Sequence, residues 1–406
     1  MVQNAQSKDL LPGPEVKPRK ARSAARSKSG AAGAKTAADT TEDLKAAARI
    51  AIRDSLGVQP GERVLIITNP VEEVSRISWA LHDAALDARA EVVLMYQSVK
   101  TQFDFCSEEV IGALKSCPDV CISLSAQRLG KDRKAILTPY RDGGYTYDST
   151  FHHLLHGIKT LRGFWSPRIT LDSFIRAVPV DYTRMRLECL RVKEILDDAV
   201  SLHVTNKTGT DIFFSIAGRQ SFTDDGNFSI AGRGGNLPAG ETFVSPVVGS
   251  AEGRIVYDGS ISSLRGEILI KTPITVHVSR GFVKKIEGKD EAEELLATIL
   301  MGEENARVLE EEGKLSEGKG AVYARNARNI GELGIGLNPN AKMTGNMLED
   351  EKVYHTCHFA IGSNYDEDAP ALIHLDGLVS APTVIATFPS GKTQEILRDG
   401  ELVGLE

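Results

Sequence analysis

Between residues 62 and 125 the chain alternates short β-branched runs with segments of helical apolar spacing, and nothing else in it limits the fold so strongly. "ERVLIIT" (62–68), "AEVVLMY" (90–96) and "DVCISLS" (119–125) read as strands. "VEEVSRISWALHDAALDA" (71–88) and "SEEVIGALKS" (107–116) lie between them and read as helices. Upstream, Thr40 offers an N-cap, Leu44, Ala47, Ile50, Ala51 and Leu56 follow at helical spacing, and Gly57 offers a stop. Strands joined by helices of this length pair in parallel, with the helices covering both faces of the sheet. The first half is therefore expected to be an α/β domain over 41–199. No G-x-G-x-x-G follows the first strand and no G-x-x-x-x-G-K-[ST] occurs, so this half carries neither common phosphate-cradling loop and reads as scaffold. "DYTRMRLECLRVKEILDDA" (181–199) is an amphipathic helix placed to link the halves.

From residue 200 the texture changes. "SLHVTN", "DIFFSIAG", "TFVSPVV", "GRIVYDGSI" and "EILIKTPITVHVSRGFVKKIEG" are short strands broken by Gly, Asn and Asp turns. "DEAEELLATILMG" (290–302) and "NARVLEEEGK" are helical, and "TCHFAIG", "ALIHLDGLV" and "PTVIATF" return to strand. An α+β domain rich in antiparallel sheet is expected over 200–406. The first forty residues differ from both halves: "KPRKARSAARSKSGAAGAKTAA" is basic and lacks any large apolar side chain, so a disordered tail is expected over 1–40.

Charge and cysteine usage exclude several classes. A formal net charge of -7 over 406 residues argues against general nucleic-acid binding. No apolar run reaches the ~18–20 residues that cross a bilayer, so no membrane partner is expected. Cys106, Cys117, Cys121, Cys189 and Cys357 form no disulfide framework and no zinc-ribbon spacing, which suits reduced thiols and a cytoplasmic location. In "FHHLLHGI", His152 and His156 stand at i, i+4, but no Glu follows His152. These residues, with His153, read as ordinary interface or surface histidines.

Chemistry gathers near the C-terminus. Three of the nine histidines fall between residues 355 and 374, in a stretch that also holds Tyr365, Asp366, Glu367, Asp368 and Asp376. "IHLDG" places His374 and Asp376 at i, i+2, on one face of a strand. His358 lies in the preceding strand, so one loop can bring the imidazoles together. Glu241 follows the Pro-Ala-Gly turn of "GGNLPAGETF", and Glu332 sits in the Gly-rich apolar "NIGELGIGLNPNAKMTGN", where a lone carboxylate would be costly to bury. Taken singly, each acid also reads as a solvated turn residue. Together, Glu241, Glu332, His358, His374 and Asp376 supply carboxylates and imidazoles suited to zinc, cobalt, manganese or iron, and enough carboxylates for a pair of divalent ions.

"NLPAGETFVSPVVGSAEGRIVYDGSI", "GELGIGLNPNAKMTGNMLEDEKVYHTCHFAIGSNY" and "IHLDG" resemble the M29 metallo-aminopeptidases, the aminopeptidase T-like family, most closely over 200–380. The resemblance implies a two-domain homodimer with a two-metal site in the C-terminal half and a small peptide as substrate. It implies Glu241, Glu332, His358, His374 and Asp376 as metal ligands. Glu332 would bridge the two ions around an activated water, and Tyr365 would donate to the oxyanion. The loop from Tyr365 to His374 is shorter than in typical members. Relatives of the same fold include iron-dependent ring-cleaving dioxygenases resembling 2,5-dihydroxypyridine 5,6-dioxygenase. In that alternative, His358, His374 and Asp376 would hold a single Fe(II).

Overall fold

A computed structural model describes residues 37–101 and 104–404. The basic tail expected over 1–40 lies outside the described residues up to residue 36. The first helix runs Ala37–Ile50 and continues as a π-helical turn over Ala51–Ser55, so Thr40 sits inside the helix rather than capping it.

The first half forms a five-stranded parallel sheet in the order Gly234–Asn236, Arg162–Pro167, Val120–Ser125, Arg63–Thr68, Glu91–Tyr96. Parallel strands with helices on both faces read as unbroken apolar runs, and the central strand shows why. Val64 and Ile66 pack into the main core with Leu44, Ile77 and Leu81, whereas Leu65 and Ile67 face a second cluster with Val110, Ile111 and Leu114. All four strand side chains are at most 4% exposed. Burial worth about 1.5–3 kcal/mol each on both faces leaves a register slip no tolerable outcome. The fifth strand, Gly234–Asn236, comes from beyond residue 200 and pairs with Gly163–Trp165.

The second half holds two antiparallel sheets. The eight-stranded sheet runs Phe282–Glu287, Ile274–Ser279, Glu252–Tyr257, Asp211–Ser215, Ser201–Thr205, Thr383–Thr387, Thr393–Arg398, Glu401–Leu402. The seven-stranded sheet runs Gly266–Leu269, Ser260–Ser263, His374–Ser380, Thr356–Gly362, Ile330–Gly336, Glu241–Val244, Phe222–Asp224. The two sheets share one core: the Phe214 and Phe359 rings meet edge-on at 5.9 Å, and the Tyr257 hydroxyl donates to the Phe359 carbonyl at 3.2 Å. The helical segments expected from 290 form one continuous helix, Asp290–Glu311.

The helix expected at 181–199 spans Tyr182–Asp198. Asp181 caps it by accepting from the Arg184 amide. Its inward face carries Met185, Cys189 and Val192, and the Thr242 hydroxyl donates to the Cys189 carbonyl at 3.0 Å. The helix thereby fixes the strand that begins with Glu241. Among the described residues, no helix is long and apolar enough to cross a membrane.

Candidate metal centre

Register alone assembles the site. Glu241 pairs with Gly336, Gly334 with His358, Glu332 with Ala360, Ala360 with Asp376, and Gly362 with His374. Paired residues share a face, so one face of the sheet carries Glu241, Glu332, His358, His374 and Asp376, separated by Gly and Ala. The opposite face carries Leu333, Ile335, Cys357, Phe359, Ile361, Leu375 and Val379, all in the core. The period-2 alternation of strand side chains holds these five polar groups on the same side.

Small residues on the polar face make room for the rings. The His358 imidazole lies over Gly334, where a Cβ would come within 2.0 Å of Nε2. Gly240 holds φ at +120° and turns the chain into Glu241. The turn is secured by Asn338, whose fully buried amide donates to the carbonyls of Ala177 and Ala239 at 2.9 and 2.8 Å.

Five predicted ligands converge. His374 Nε2 lies 3.0 Å from Glu332 Oε2 and 3.1 Å from Asp376 Oδ1. His358 Nε2 lies 3.3 Å from Glu332 Oε1 and 3.7 Å from Glu241 Oε2. Ligand atoms of Glu332, His358 and Asp376 all fall within 4.8 Å of one another. The Ser363 carbonyl takes a hydrogen bond from His374 Nδ1 at 2.9 Å. A carbonyl only accepts, so the neutral ring keeps its proton on Nδ1 and turns the Nε2 lone pair toward Glu332 and Asp376. By angle, His374 Nε2 and Glu332 Oε2 make no hydrogen bond, although they are buried and close. Electron pairs facing electron pairs require a cation between them or protons upon them.

With protons alone, the groups shift accordingly. Burial raises the Glu332 carboxyl, but His358 and His374 outweigh it and hold it at about 2. Burial disfavours the His358 cation, yet Glu332 lifts the ring to about 9. His374 is also pushed well above the usual imidazole range: burial opposes its charge, and Asp376 and Glu332 prevail. A divalent ion would replace these protons, since imidazole and carboxylate ligands bind metal deprotonated. The donor set of oxygens and imidazole nitrogens without thiolate suits iron, manganese or zinc.

Tyr365, half-buried, stands beside the centre. Its ring meets His374 edge-on at 5.5 Å and Phe243 at 4.7 Å, with Phe222 at 6.3 Å. The following loop is tied down by Arg219, whose guanidinium reaches Asp366 at 3.3 Å and Asp368 at 2.8 Å. The acids between Tyr365 and His374 thus include two that anchor the loop.

A buried lysine was not foreseen. Lys352 is fully buried, and its ammonium contacts Glu241 Oε1, Glu351 Oε1 at 2.8 Å and Asp224 Oδ2 at 3.3 Å. Glu241 therefore faces the ammonium with one oxygen and His358 with the other. Burial pushes up the carboxyls of Asp224, to about 7, and Glu351, to about 8, with Lys352 pulling both back. The histidines at 152, 153 and 156 lie far along the chain in the other half, and no metal-ligating group forms around them among the described residues. His153 stacks on Tyr140 at 4.3 Å, and burial holds His156 near 3, so these rings serve packing.

A family model described as 2,5-dihydroxypyridine 5,6-dioxygenase matches residues 170–362, just under half of the chain and including Glu241, Glu332 and His358. A curated 2,5-dihydroxypyridine 5,6-dioxygenase from Pseudomonas putida KT2440 is 32% identical over 120 residues, 30% of this chain. The chain spans about a third of that relative's length, 34%. The solved 2,5-dihydroxypyridine dioxygenase from the same organism superposes with a TM-score of 0.65 at 18% identity, covering 92% of this chain and 99% of that one. Wild-type AmpT from Thermus thermophilus superposes with a TM-score of 0.62 at 16% identity, covering 89% and 99%. The mixed α/β fold is the one these two structures share, and the resemblance to the aminopeptidase T-like family holds at that level. The expectation of a two-metal aminopeptidase, a hydrolase acting on peptides, is corrected by the dioxygenase family match and the dioxygenase relative. Glu241, expected to be a metal ligand, has one oxygen on the Lys352 ammonium in the structure.

Proposed function

We propose that this chain is a mononuclear Fe(II) dioxygenase that opens a dihydroxylated aromatic ring of the 2,5-dihydroxypyridine type. The match of residues 170–362 to that dioxygenase family carries the reading. The unpartnered buried atoms Glu332 Oε2 and His374 Nε2 support a cation among these side chains. Glu332, His358, His374 and Asp376 would hold the iron. Bound there, iron supplies the one-electron chemistry that lets triplet oxygen react with a closed-shell ring.

The protein's own groups do the rest. The Phe222, Phe243 and Tyr365 rings form an aromatic wall beside His374, against which a flat heterocycle can stack. The Ser363 carbonyl fixes the His374 tautomer, so the ring presents Nε2 to the centre. Arg219 ties down the 363–373 loop, which carries Tyr365, through Asp366 and Asp368.

The test is anaerobic reconstitution with Fe(II), addition of 2,5-dihydroxypyridine, and exposure to 18O2. The expected result is oxygen uptake and a ring-opened product carrying both labelled atoms. Iron-loaded, folded protein that consumes no oxygen with dihydroxypyridines or related dihydroxylated rings would refute the reading.

A further inference from the structure

Lys352 is held as a built element, not as a flexible side chain that happened to fold inward. The turn Met347–Asp350 that precedes it is locked at two acids. Glu349 is fully buried, pairs with Arg176 and accepts from the Lys342 amide at 2.7 Å. Asp350, equally buried, accepts from the Ser260 hydroxyl at 2.6 Å and from the Thr344 and Gly345 amides at 2.7 and 2.9 Å. The Lys352 amide donates to the Glu349 carbonyl at 3.0 Å, and its own carbonyl accepts from the Asn338 amide at 2.9 Å. The backbone thus aims the ammonium at a pocket of three carboxylates, Asp224, Glu241 and Glu351.

Glu241 joins that pocket to the metal centre. Its Oε1 contacts the ammonium, while Oε2 lies 3.7 Å from His358 Nε2 and has no hydrogen-bond partner. One carboxylate spanning two cationic positions is the arrangement of a two-metal site, in which a carboxylate bridges ions about 3.5–4 Å apart. Here one of the two positions is filled by a covalently attached single charge.

We propose that the Lys352 ammonium is the resident second cation of this site: it fills the Asp224–Glu241–Glu351 pocket, takes Glu241 out of the metal's ligand set, and limits the protein to one metal ion. The inference rests on the reading of Glu332, His358, His374 and Asp376 as a metal centre. Lysine does what a second divalent ion would do for the buried carboxylates, but it is no Lewis acid and cannot polarise a carbonyl or deliver hydroxide. The chain therefore keeps a bridged-carboxylate layout without the means for two-ion hydrolysis.

The experiment titrates full-length, metal-stripped protein with Mn(II) and reads stoichiometry by elemental analysis and spin coupling by electron paramagnetic resonance. Wild type is expected to bind one Mn(II) with the signal of an isolated ion. Lys352→Asn opens the three-carboxylate pocket and is expected to bind two, with an exchange-coupled signal. Two ions in wild type, or one ion in folded Lys352→Asn, would overturn the inference while leaving the metal centre standing. No ion in wild type would sink the metal reading itself. Removing the ammonium strands the buried Asp224 and Glu241 and the half-buried Glu351, so circular dichroism must establish that Lys352→Asn is folded. Should it not fold, Glu241→Gln and Asp376→Asn decide the matter. Glu241→Gln is expected to retain one Mn(II) at unchanged affinity, whereas Asp376→Asn loses at least about tenfold. Equal loss in both variants would overturn the proposal.

Discussion

Replacing Gly334 with alanine tests the geometry of the site more sharply than removing a ligand does. The added methyl touches no solvent and introduces no charge, yet its Cβ would stand 2.0 Å from His358 Nε2 and 2.1 Å from Cε1. Ordinary contact needs about 3.5 Å, so the imidazole or the strand must yield by roughly 1.5 Å. Metal–ligand distances tolerate about 0.2 Å. The residue is 1% exposed and its strand is paired on both sides, so the ring cannot swing out to solvent without disturbing its neighbours. We expect metal affinity to fall by at least about 10–100-fold, or roughly 1.4–2.8 kcal/mol. Overpacking should also cost the metal-free fold about 1–3 kcal/mol. Calorimetric titration with Mn(II) gives the first quantity and urea denaturation in chelator gives the second. A Gly334→Ala protein that binds Mn(II) like wild type would show that His358 is not a ligand in the position described, and the centre would have to be redrawn.

Three further outcomes are expected. Tyr365→Ala should leave metal stoichiometry at the wild-type value but raise the KM for a dihydroxylated ring by about 2–12-fold, the equivalent of 0.5–1.5 kcal/mol of aromatic contact; steady-state oxygen uptake measures it, and an unchanged KM would remove Tyr365 from the substrate wall. Divalent ion at about 100 times its Kd should stabilise the protein by about 2.7 kcal/mol, reversed by chelator and absent from Asp376→Asn, as read by denaturant unfolding. In the scaffold, Glu62 pairs with the buried Arg162 guanidinium at 2.8 and 2.6 Å, and its carboxyl sits below 4.5 because this pair and the Gln59 amide outweigh burial, which alone would raise it. A lowered carboxylate lends stability that is present above pH 4.5 and is lost as pH falls through the lower folded value. Glu62→Gln should therefore cost about 1.5–3 kcal/mol at neutral pH, and its deficit against wild type should shrink in melts below pH 4.5.

Much of this arrangement is legible without coordinates, for reasons that differ between the halves. The parallel sheet follows from β-branched runs and helical spacing, and observed strands and helices such as Arg63–Thr68 and Glu72–Asp87 begin and end within a residue or so of the expected limits. His374 and Asp376 share a face because strand periodicity is two, and His358 neighbours them because one short loop joins the two strands. The strand Gly234–Asn236 could not be foreseen: "GGN" has no β-branched residue, and its pairing with Gly163–Trp165 rests on backbone hydrogen bonds and the Asn236 amide donating to the Trp165 carbonyl at 3.1 Å. The Glu241–Gly336 register was equally hidden, since nearly a hundred residues separate the two strands.

The misread chemistry has a more specific origin. Acids and imidazoles of one kind serve both a two-ion hydrolase and a one-ion oxygenase, so the ligand types could not separate them. The residue on which the proposed one-metal reading turns sits in "LEDEKVY", a run of four consecutive charges that by composition belongs on a solvated surface. Glu349, Asp350 and Lys352 are instead fully buried. Each is neutralised or saturated by a partner distant in the chain: Arg176 for Glu349, Ser260 for Asp350, and Asp224 with Glu241 for Lys352. Desolvating such a run is tolerable only because every charge in it meets its complement. A charge run with no polar spacer, set between an apolar turn and a strand that carries a candidate ligand, is thus a place to look for buried counter-charges before any metal count is made from the acids alone.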